Sequence, residues 1–134
     1  MWSALYWLYL VNAVLIINHE IDSAYWREWN LFLPSRQAAP GSKEDRRAMA
    51  GFLLAHLPLV MLVMIGLVEV FKRSAAGLVL SLVLSAGGVF AFTFHTICIR
   101  RGRAEFDEPV SLFILWATLL VSLAQAALAG VMLF

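Results

Sequence analysis

The chain has 134 residues, 62% of them hydrophobic and 14% charged, with 10 Lys and Arg against 9 Asp and Glu for a net charge of +1. An average soluble domain is roughly a quarter charged, so this composition argues against a soluble fold; a near-neutral chain without a basic groove also offers no surface for a nucleic acid. The charges are segregated as well: none falls in residues 1–19, one in 49–71, none in 74–99 and none in 109–134.

A helix needs about 17 to 25 apolar residues to cross a bilayer. Four runs qualify, at about residues 2–21, 49–71, 75–99 and 110–134. They predict an all-α fold, an integral membrane four-helix bundle forming a single transmembrane domain over residues 1–134, with one longer interfacial loop at 22–48. The 22–48 and 99–109 connections carry eight Lys or Arg, the connection at 72–73 only two. By the positive-inside rule both termini are expected on the non-cytoplasmic side.

In the first run, Asn12, His19 and Trp26 fall on one helical stripe, with Asp22 and Ser23 beside His19. From Tyr25 onward, Trp26, Trp29, Phe32 and Leu33 recur at helix-like spacing. This predicts a helix end bending along the headgroup layer as far as Pro34, its tryptophans forming an interfacial belt. Ser42, three residues before Asp45, predicts the cap of the second helix. There His56 shares a face with Phe52, Leu59, Val63 and Gly66, and Pro58 predicts a kink. Glu69, with Lys72 and Arg73 at i+3 and i+4, reads as an ion pair outside any site.

The third helix carries Ser81, Ser85, Gly88, Phe92 and His95 on one stripe. The fourth, entered through Asp107, Glu108 and Pro109, carries Ser111, Thr118, Ser122 and Gln125. Small and polar stripes of this kind predict closely packed helix faces, with Asn12 and Gln125 as interhelical glue. A lone cysteine, Cys98, rules out a disulfide within the chain.

Ionisable groups within spans are costly and so mark candidate sites. All three histidines fall in the half of the bilayer nearest loop 22–48: His19 at the end of helix 1, His56 about 10 Å into helix 2 and His95 about 6 Å from the end of helix 3. Three imidazoles and neighbouring carboxylates are the ingredients of a catalytic zinc site that keeps one position for water. The assignment is His19, His56 and His95 as metal ligands, Glu20 as general base, and Asp22 as a partner orienting an imidazole or a fourth ligand. Zinc suits the set better than iron, because the paired Glu-x-x-His motifs of di-iron bundles are absent. Glu105 and Glu108 are near enough in sequence to reach the same region.

A site at this depth faces membrane lipid, so the expectation is a metal-dependent hydrolase of a lipophilic small molecule. Three other readings stay open. The same groups could relay protons outward through Asn12 and Gln125; the tryptophan-rich loop could dock a partner without chemistry, with apolar outer faces that permit a homo-oligomer; and His19, Glu20 and Asp22 could be ordinary interfacial residues.

The stretch His19-Glu20-Ile21-Asp22 followed by Tyr25-Trp26-Arg27-Glu28-Trp29, with AHLPLV in helix 2, a single histidine in helix 3 and EFDEPVS before helix 4, resembles a group of small uncharacterised bacterial four-span membrane proteins. The resemblance implies the four-span architecture and draws attention to His19, Glu20, Asp22, Trp26 and Glu28. It assigns no role. On a continuous helix Glu28 lies about 180° from His19, so it joins the site only if the chain bends between them.

Overall fold

The computed structural model describes residues 1–31, 38–102 and 107–133. Four helices follow one another: α1 (Trp2–Tyr25), α2 (Lys43–Phe71), α3 (Ala75–Arg100) and α4 (Pro109–Leu133), with a 3-10 turn at Glu28–Leu31 between the first two. Each of the four is long and apolar enough to cross a membrane, and there is no strand among the described residues.

Local chemistry accounts for the helix boundaries. Ser42 Oγ accepts the Asp45 amide at 3.2 Å, and Glu44 and Asp45 sit in the first turn, so α2 starts six residues ahead of its apolar run at Met49. Ser74 Oγ accepts the Gly77 amide at 3.0 Å and starts α3. Pro109 takes the first position of α4, where its missing N–H costs nothing. α2 runs unbroken through Pro58, although this residue cannot donate to Leu54.

The helices alternate in direction. The Tyr6 ring near the start of α1 meets Phe71 at the end of α2, with centroids 6.0 Å apart. Gln125, late in α4, donates to the carbonyl of Ser81, early in α3, at 3.0 Å. The start of α1 and the end of α4 therefore share one end of the bundle, and the 3-10 turn lies at the other.

Packing follows the small and polar stripes. Asn12, Ser81, Ser85, Ser111, Thr118, Ser122 and Gln125 are all buried. A Cβ on Gly88 would collide with Ser122 Oγ, and one on Gly66 with the Tyr9 hydroxyl, so glycine sets the approach of α3 to α4 and of α1 to α2. Tyr9 donates to the Val63 carbonyl at 3.0 Å and closes the α1–α2 contact. α2 is held at its first turn by Asp45 and in its second half by Val63, Gly66 and Val70. Its outward residues, among them Leu53, Leu57, Met61 and Ile65, are exposed, which suits contact with lipid.

One predicted element is corrected. The helix does not continue along the headgroup layer past Tyr25: Trp26 caps it, Arg27 adopts a left-handed φ of 58°, and the chain turns into the 3-10 segment. Trp29 is consequently buried rather than part of an exposed belt. Phe32, Leu33 and Pro34 lie outside the described residues.

Candidate metal centre

His19 sits six residues before the end of α1 and His95 five before the end of α3. Their rings meet edge to face with centroids 4.6 Å apart, at 5% and 2% exposure. Past α1, the left-handed Arg27 reverses the chain and brings Glu28 back over the pair. His95 Nε2 then lies 3.6 Å from Glu28 Oε1. One ligating atom from each of His19, Glu28 and His95 falls within 4.8 Å of the other two, and all three residues are buried.

These separations discriminate between bonding modes. A gap of 3.6 Å is too long for a hydrogen bond. Two donors at about 2.1 Å from one tetrahedral ion stand about 3.4 Å apart, so the Glu28–His95 separation suits shared coordination. His19 Nδ1 is buried with no hydrogen-bond partner among the described residues, a costly state for a polar nitrogen unless something engages it.

A second pair lies beside the first set. His56 Nδ1 is 2.6 Å from the Phe52 carbonyl, which can only accept, so Nδ1 carries a hydrogen. His56 Nε2 is 2.6 Å from Glu20 Oε2. That contact needs a further proton, held by either the imidazole or the carboxyl. The pair therefore shares one transferable proton on a ring whose other nitrogen is fixed.

Both sets line a cavity of about 600 Å³ enclosed by α1, α2, α3 and the 3-10 turn. His19, Glu20, His56 and His95 from the sequence assignment all line it, with His56 paired to Glu20, and Glu28 is the third member, beside His19 and His95, of the group that could hold a metal ion. Asp22 is half-buried next to His19 but does not line the cavity. Glu108 is exposed ahead of α4, and Glu105 lies outside the described residues. Glu69 pairs with Lys72 at 3.0 Å and accepts from Ser74 at 2.7 Å, at the end of α2 away from these groups.

The 3-10 turn is tethered to the foot of α2 by Asp45. Its carboxylate pairs with the Arg27 guanidinium, accepts the Trp29 indole N–H at 2.9 Å and accepts the Gly41 amide at 2.9 Å. Asp45 thus positions Glu28 through both of its neighbours. Helical spacing hides this arrangement, because Arg27 carries no sequence sign of a left-handed turn such as Gly or Asn would give.

A family model matches residues 5–131. The chain belongs to the family of unknown function DUF6713. No curated protein and no solved structure matches it. For this DUF6713 chain, then, any reading of function stands on its own residues.

Proposed function

We propose that this chain is a membrane metalloprotein in which His19, Glu28 and His95 bind one divalent transition metal, zinc in preference to iron, and that it hydrolyses a lipophilic substrate held in the adjoining cavity. The observation that carries the reading is the approach of three buried ligating atoms, from α1, the 3-10 turn and α3, to within 4.8 Å of one another. Two imidazoles and one carboxylate are a donor set used for catalytic zinc, with the remaining position left to water. The same donors also serve non-haem iron, so the bound element must be measured. When bound, the metal supplies acidity to that water.

The protein's own groups complete the chemistry. Glu20, held through Oε2 by His56 on the facing helix, would take a proton from the attacking water on its other carboxylate oxygen, with the shared proton resting on His56, and return it to the leaving group. The apolar wall of the cavity excludes bulk water. The excess of Lys and Arg at the loop 26–42 end supports a cytoplasmic-facing site with both termini outside, in a bacterial inner membrane. A proton relay draws less support, because Asn12 and Gln125, the polar pair on its outward route, bond to one another at 2.8 Å and hold the helices together.

Elemental analysis of the full chain, purified in detergent without a histidine tag, tests this reading. About one zinc or iron per chain is expected for the wild type, with loss in a folded His19→Ala, His95→Ala variant. Protein that stays metal-free after loading with either metal would overturn it.

A further inference from the structure

The cavity is long and graded in polarity. Its lining runs from Ala48 to Val63 on α2 and from Leu80 to His95 on α3. Each stretch advances fifteen residues, about 22 Å of helix against a hydrocarbon core of about 30 Å. The ionisable groups gather toward one end, where α1 closes and α2 begins. Beyond His56 and Ala91 the wall is aliphatic or aromatic apart from Tyr9, whose hydroxyl is spent on Val63.

The flank of the cavity faces outward between two spans. Leu62 on α2 and Val83, Gly87 and Phe90 on α3 line it and are also exposed, Phe90 to 68%. In a bilayer such residues meet acyl chains rather than water. A Cβ on Gly87 would meet nothing within 4 Å, so the space beside it is open.

We infer that the cavity takes an acyl chain of a bilayer lipid, entering sideways between α2 and α3, with the lipid's carbonyl end at Glu20, His56 and the metal ligands. The gradient decides the occupant. The polar end lies where the helices meet the headgroup layer and the apolar arm runs toward the bilayer centre, so a lipid fits in the orientation it already has in its leaflet. A compact lipophile or a soluble substrate would leave the apolar arm unfilled. The inference rests on the metal reading only for the identity of the polar end.

The test is photolabelling of the full chain in vesicles of phosphatidylethanolamine and phosphatidylglycerol, doped with a phosphatidylethanolamine that carries a diazirine in one acyl chain. Adducts are mapped by mass spectrometry, with metal content measured on the same samples. The expected result is labelling of Leu62, Val83 or Phe90 well above that of Trp116 and Leu120 on the outward face of α4. Gly87→Trp, and independently Ala55→Trp, should bring it down to the α4 level with metal content unchanged. Equal labelling of the two faces, or labelling indifferent to both tryptophans, overturns the lipid proposal. Metal-free wild type with tryptophan-sensitive labelling overturns the metal reading alone.

Discussion

The bundle contains two buried polar clusters of opposite character. At the level of Asn12, the side chains bind across the helices: Asn12 donates to Gln125 at 2.8 Å, Ser122 donates to Asn12 at 3.1 Å, and Gln125 donates to the Ser81 carbonyl at 3.0 Å. Two turns away along α1, one ligating atom from each of His19, Glu28 and His95 lies within 4.8 Å of the other two, beside a cavity. Both clusters are buried, so burial does not separate structural from functional polarity. What separates them is whether the groups bind each other or converge on a shared point.

The largest effect that tests this contrast belongs to the proposed ligands. Glu28→Gln or His19→Ala should weaken zinc binding more than about a hundredfold, since loss of an outer-sphere partner alone costs 10 to 100-fold; chelator competition measures it. Affinity should also fall on acidification, because imidazole and carboxylate must lose their protons before they bind a metal. The reverse trend would sink the assignment. Asp45→Ala comes next. It should weaken metal binding by about 10 to 100-fold through release of Arg27 and Trp29, without changing helical content by circular dichroism.

Changes in the other cluster should act on stability and leave metal content alone. Gly66→Ala, which drives a Cβ into the Tyr9 hydroxyl, is expected to cost about 1–3 kcal/mol in denaturant unfolding. Gln125→Leu should cost about 1–2 kcal/mol, in the range of interhelical hydrogen bonds in membranes. If Gln125→Leu removed bound metal instead, the two clusters would form one unit and the distinction would fail. Gly87→Ala, with open space at its Cβ, should fall within about 0.5 kcal/mol of wild type.

Much of this was legible in the sequence, for identifiable reasons. Asn12, Ser81, Ser122 and Gln125 sit on helical stripes whose spacing survives folding, so their role as glue could be read directly. The shared depth of His19, His56 and His95 is likewise a matter of counting along helices. Glu28 could not be placed that way, because its position depends on a single left-handed arginine that breaks the helical count. The division of the histidines was hidden for another reason: depth says which residues are level, and only packing says that His56 turns to Glu20. Trp29 looked like a headgroup anchor because nothing local announces the carboxylate that draws it inward.

The Asp45 tether gives the site a mechanical property. Glu28 is fastened to the foot of α2, while the two histidines it joins belong to α1 and α3. Any tilt of α2 that widens its gap from α3 must drag on Glu28 and change its spacing from His95. The width of the α2–α3 gap and the spacing of the three candidate ligands are thus geared together, so the charged foot of a helix is coupled to what happens along its apolar length.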